Sequence, residues 1–133
     1  MSAETEILRK YRTIAVVGLS SDETRESLGV AAYMQAAGYR IVPVNPAETE
    51  VLGEKAYPTV VSIPSQVEIV DVFRRPEALP GVVDDAIAAG AKVIWMQEGI
   101  VNEEAAAKAR AAGLEVVMDS CIRTEHRRMA ATV

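Results

Sequence analysis

The chain has 133 residues, half of them hydrophobic, and 14 basic against 19 acidic side chains give a formal charge of −5. That size suits one domain, residues 1–133, with its own core, and the acidic balance argues against a general nucleic-acid binder, which needs a basic face. The single cysteine, Cys121, excludes an internal disulfide and fits a reducing compartment, and no apolar run approaches the roughly 20 residues of a membrane span.

The first stretch, MSAETEILRKYR, carries acids early and has no apolar signal core. It reads as a leading helix, Ser2 to Tyr11, of a soluble cytoplasmic protein. TIAVVG (Thr13–Gly18) is the first strand candidate, followed by the polar stretch LSSDETRES. From Ser27 to Ala37, Leu28, Ala31 or Ala32, and Tyr33 or Met34 recur at helical spacings. YRIVPV (Tyr39–Val44) predicts the second strand. Ala47 to Gln66 is less regular, carries Pro58 and Pro64, and predicts a short helix or turns. EIVDVF (Glu68–Phe73) predicts a third strand. Pro80 suits the first turn of a helix running to about Ala89, with Val83, Ala86 and Ile87 toward the sheet. AKVIWM (Ala91–Met96) follows as a strand. Asn102 can then cap a helix to Ala112 whose positive end suits Glu103 and Glu104. LEVVMD (Leu114–Asp119) and a trailing helix, Ser120 to Met129, complete the chain.

The echoes AAGY, AAGA and AAGL place Gly38, Gly90 and Gly113 where helices stop and strands begin. The strands are short and mostly apolar, as expected where both faces of a sheet are covered. Strand–helix alternation predicts a three-layer α/β/α Rossmann-like domain with a parallel sheet of about five strands.

In such a sheet ligands bind beyond the carboxyl ends of the strands. Five segments should therefore converge on one rim: GLSSDETRES, VNPAE, FRRPEALP, MQEGIV and MDSCIRTEH. The helix opening near Ser27 favours an anion at its N-terminus. Ser20, Ser21 and Ser27 can add hydroxyl donors, and Arg25, Arg74 and Arg75 can add forked positive charge. Ser27 fits a plain helix cap equally well, and loop arginines are often only solvated. Neither nucleotide fingerprint fits. Gly18 stands alone, with Ser20 and Glu23 where a dinucleotide loop has further glycines. Asn45 and Pro46 replace the acid expected after the second strand, and no G-K-[ST] ending marks a P-loop. Val44, Pro46, Phe73 and Ile100 offer an apolar wall instead.

VVGLSSDETRESLGVAAYMQAAGYRIVPVNP, LGEKAYPTVVSIP, VDVFRRPEALP, MQEGIVNEEAAAKARAAGLEVVMDSC and EHRR, in that order, resemble the small stand-alone CoA-binding proteins. These are similar to the N-terminal CoA-binding domain of the succinyl-CoA synthetase alpha subunit. The resemblance runs from about Tyr11 to Met129 and implies a Rossmann-like fold that binds coenzyme A or an acyl-CoA. It implies that Gly18, Leu19 and Ser20 approach the pyrophosphate, with Arg25 and Ser27 at the family's basic and serine positions. It puts Val44, Asn45 and Pro46 near the nucleoside end, Phe73 and Arg74 along the groove, and Gln97, Glu98 and Gly99 beside the pantetheine arm. The departure is SDETRE: Asp22, Glu23 and Glu26 weaken anion binding unless they point outward or pair with Arg25. Asn45 in place of an acid agrees with a ligand whose ribose carries a phosphate.

No catalytic set stands out. His126 can be a general base or a phosphate contact, but is better read as a helix residue held by Glu125 or Arg127. Cys121 lies five residues away, a poor spacing for a helical Cys–His pair, and reads as a small buried residue. Glu98 and Asp119 can pair as carboxylates, although Glu98 is better explained as a helix start shaping the Gly99 turn. One His and one Cys do not make a zinc site. The expectation is a binding or regulatory module without its own catalysis. The alternatives are an acyl-CoA-using transferase or thioesterase employing Cys121 or His126, and a subunit lending its CoA site to a separate acyl-CoA ligase. A homodimer or another protein partner stays open.

Overall fold

A computed structural model describes residues 2–131. Strands β1 (Thr13–Val17), β2 (Arg40–Val44), β5 (Ile69–Val72), β6 (Val93–Met96) and β7 (Glu115–Val117) form one sheet in the order β2-β1-β5-β6-β7. Every pairing in it is parallel. Helices α1 (Ala3–Lys10), α2 (Glu26–Ala36), α3 (Leu79–Ala88), α4 (Glu103–Ala111) and α5 (Ile122–Ala131) cover its two faces. This is the three-layer Rossmann-like fold that the alternation predicts.

The strands divide their side chains between two cores. Ile14, Val16, Ile69, Val93 and Trp95 pack with residues of α1, α2 and α5. Ala15, Val17, Val70, Val72, Ile94 and Met96 pack with α3 and α4. The period of two thus continues inside apolar runs that show no alternation of polarity, because helices cover both faces. Each large aliphatic side chain so buried contributes about 1.5–3 kcal/mol.

Asn102 caps α4 as expected, its Oδ1 accepting from the Ala105 N–H at 2.9 Å. Pro80 lies in the first turn of α3. The segment predicted as a short helix or turns holds more: a small antiparallel hairpin, β3 (Glu50–Val51) with β4 (Glu54–Lys55), precedes a 3-10 turn at Val60–Ser62. Its exit strengthens the sheet edge. Tyr57 donates its N–H to Pro43 O and accepts from Asn45 N, each at 2.9 Å, so the chain runs on as a single bridge beside β2. Pro43 is tolerated in β2 because the strand is near the sheet edge.

Candidate functional site

β1 has β2 on one side and β5 on the other. The chain leaves β1 toward one neighbour and later returns beside it as the other, so the two connections diverge above its carboxyl end. Hydrogen bonds extend the ladder one residue beyond the strands: Gly18 N–H donates to Val44 O, and Phe73 N–H to Val17 O, both at 2.8 Å. There Gly18 adopts φ +90°, and a Cβ on it would stand 2.6 Å from the Phe73 carbonyl oxygen and 3.4 Å from Arg74 Nε. A glycine is required by conformation and by space alike. Above it opens a cleft of about 180 Å³ lined by Gly18, Arg25, Glu26, Ser27 and Phe73.

Helix α2 begins at this cleft. Its N-cap is Arg25, which makes no side-chain cap hydrogen bond. Leu28 N–H donates to Arg25 O at 3.3 Å, but no Arg25 side-chain cap covers the start of the helix, which presents a partial positive charge to the cleft. Ser27 is not the cap that its position suggests. It is buried inside the first turn, and its Oγ accepts from Ser20 N at 3.2 Å, bracing the loop.

The loop consumes most of its own donors. Ser20 Oγ accepts from Asp22 N at 3.1 Å, and Asp22 Oδ1 accepts from Thr24 N at 2.9 Å and from Thr24 Oγ1 at 2.7 Å. These Thr24 bonds, helped by Arg25, hold the Asp22 carboxyl below its ordinary range, and its charge is spent locally. Glu23 is exposed, whereas Glu26 lines the cleft. Ser21 turns to the next connection: its N–H donates to Glu48 Oε2 at 2.7 Å and its hydroxyl to both Glu48 oxygens at 2.9 and 3.0 Å. Asn45 lies beside it, donating Nδ2–H to Leu19 O at 3.1 Å and accepting from Ala47 N at 3.0 Å.

The structure thus gathers Gly18, Arg25, Ser27 and Phe73 around one cleft, with Arg74 against Gly18. Leu19 and Val44 put their side chains into the cores, while Asn45 supports the loop. Pro46 and Arg75 are exposed nearby in sequence. Gln97 is buried, and its Oε1 accepts from Ile122 N at 3.1 Å, which serves the start of α5. Glu98 starts no helix. It is exposed in a turn whose Gly99 N–H donates to Asp119 Oδ1 at 2.6 Å, so Asp119, itself at φ +54°, shapes that turn. Asn102 Nδ2–H donates to Pro76 O at 2.8 Å and ties the connections after β5 and β6 together.

The candidate chemical residues are engaged separately. His126 Nδ1 shares a 2.9 Å hydrogen bond with Tyr33 OH, not with Glu125 or Arg127, and its ring meets Tyr33 and Tyr39 edge-on. Burial, with the nearby Arg12, pushes the His126 imidazole below its ordinary value. Cys121 is buried in the core on the α1–α2–α5 side of the sheet. Asp71, fully buried in mid-strand β5, has Oδ1 without a partner. Loss of hydration, with Cys121 adding to it, raises the Asp71 carboxyl well above its ordinary range. Among the described residues no group of three or more His, Cys, Asp or Glu could hold a metal ion, and no helix is long and apolar enough to cross a membrane.

The parallel sheet with helices on both faces defines a Rossmann-like domain, and its switch point gathers Gly18, the start of α2 and two arginines, Arg25 and Arg74. The profile of the CoA-binding domain family matches residues 12–127, and the chain belongs to that family. A Bacillus subtilis protein, YneT, is 47% identical over 121 residues, which span 91% of this chain and 90% of that one. The structure of a hypothetical protein from Pyrococcus horikoshii superposes with TM-score 0.93 at 43% identity, covering 96% of this chain and 89% of that one. A dinucleotide-forming acetyl-coenzyme A synthetase from Candidatus Korarchaeum cryptofilum matches with TM-score 0.76 at 28% identity. That match spans 86% of this chain but 27% of the synthetase, so the likeness is to one part of a larger enzyme.

Proposed function

We propose that the chain binds coenzyme A, or an acyl-CoA, as a binding or regulatory module, with the ligand's pyrophosphate in the cleft above Gly18. The observation that carries this reading is the pairing of the Gly18 cradle with the uncapped N-terminus of α2. A Cβ at position 18 would strike the Phe73 carbonyl and spread the cleft's walls, and the helix end supplies N–H groups and a partial positive charge to an anion. Arg74, beside Gly18, and Arg25, on the cleft wall, add charge of the right sign. Phe73 gives the cleft one apolar wall. Asn45, tied to Leu19 O, is neutral where a dinucleotide site would place an acid for the ribose hydroxyls. Gln97, Glu98 and Gly99 stay assigned to the pantetheine side of the rim, where the Gly99–Asp119 bond fixes the turn.

Mass spectrometry of the nucleotide that co-purifies with the protein from cells tests this reading. CoA or an acyl-CoA is the expected species, and NAD in its place would overturn the assignment. The match to one part of a larger synthetase favours a second reading, in which this chain lends its CoA site to a separate ligase subunit. Stable co-purification of such a subunit would support it.

A further inference from the structure

We propose that Glu48 is an internal competitor for the ligand's phosphate, a carboxylate seated on loop donors that a bound phosphate takes over. This rests on the CoA reading above. Ser21 is exposed, yet both its donors are occupied: the N–H by Glu48 Oε2 at 2.7 Å and the hydroxyl by both oxygens at 2.9 and 3.0 Å. An anion with two oxygens held by one backbone N–H and one hydroxyl is the pattern in which such loops hold phosphate.

The rest of the loop leaves little else to offer. Ser20 N–H goes to Ser27, Asp22 N–H to Ser20, and Thr24 N–H to Asp22. Those partners are close in sequence and belong to the loop or to the first turn of α2. Glu48 is different: it lies 27 residues away, on the connection after β2. Its own N–H donates to Asn45 O at 3.2 Å, and Asn45 Nδ2–H grips Leu19 O. The Asn45–Glu48 turn therefore holds the loop by two separate handles. Releasing the Glu48 handle frees two donors and removes a negative charge, while the Asn45 handle keeps the loop in place. A ligand phosphate gains the donors of Ser21 only by displacing Glu48, so this contact sets how tightly the loop accepts an anion.

The opposite reading makes Glu48 a brace that shapes the loop for binding. Titration calorimetry separates the two, using CoA and inorganic pyrophosphate against wild type, Glu48→Gln and Glu48→Ala. Glu23→Gln controls for the general loss of one exposed acid from the same loop. Competition predicts that both Glu48 variants bind both anions about tenfold more tightly, and Glu23→Gln only about twofold. Weaker or unchanged binding in the Glu48 variants, or a gain equal to that of Glu23→Gln, overturns the proposal. Tighter pyrophosphate binding in the Glu48 variants, with no CoA binding by any form, would uphold the competition and reject the CoA assignment. Absence of binding of either anion to every form would overturn both.

Discussion

The carbonyl oxygen of Phe73 lies 2.6 Å from the position a Cβ on Gly18 would take, which couples the first turn of the sheet rim to the third. The contact joins the two connections that diverge at the switch point, and φ +90° at Gly18 makes the glycine doubly necessary. Gly18→Ala should cost about 2 kcal/mol of stability by forcing Phe73 and the loop apart. It should also abolish CoA binding at temperatures where the variant stays folded. Denaturant unfolding and calorimetry on one preparation check both, and wild-type behaviour in either would contradict the close-approach argument.

Arg74 has its Nε 3.4 Å from the same Cβ position. Had the arginine served the ribose 3′-phosphate, Arg74→Ala would spare dephospho-CoA. The proposed reading puts it, over Gly18, with the pyrophosphate, so the variant should lose about tenfold in affinity for CoA and dephospho-CoA alike. A loss confined to CoA would place Arg74 at the 3′-phosphate instead.

Glu26 stands at the first position of α2 and lines the cleft. An acid there complements the helix dipole but opposes a phosphate in the same place. Glu26→Gln should tighten CoA binding by about two- to fivefold, with the gain shrinking as salt rises. Weaker binding after the change would mean that the phosphates do not sit at this helix end.

Asp71 gives the fold a pH signature. Its carboxyl is raised in the folded protein, chiefly by burial, so the unfolded chain ionises first as pH rises. The folded state then loses stability from the ordinary carboxylate range upward, until Asp71 itself ionises. Asp71→Asn cannot ionise, so its melting temperature should gain on that of the wild type as pH moves from acid to neutral. A constant difference across that range would show that Asp71 does not hold its proton in the native state.

Much of this was legible in the residues. The five sheet strands, the helix ends at Gly38, Gly90 and Gly113, and the single glycine of the first turn carry local signals in apolar runs and turn chemistry. Family resemblance rests on ordered segments spread over the chain, and the profile match confirms it. What escaped was decided by side chains distant in sequence. Ser21 meets Glu48 across 27 residues, and Gln97 meets Ile122 across 25, spacings that follow from the order of strands and not from any local period. Asp71 is hidden differently: inside IVDVF a lone acid looks like a break in an apolar run, yet it occupies a fully buried position of β5. The hairpin after β2 is too short, at two residues per strand, for alternation to announce it.

Calorimetric titration of the purified chain with CoA, acetyl-CoA, ATP and NAD tests the central claim most directly. Saturable binding of CoA or acetyl-CoA, at affinities well above those for ATP and NAD, is the predicted result. Binding of NAD without CoA would contradict it.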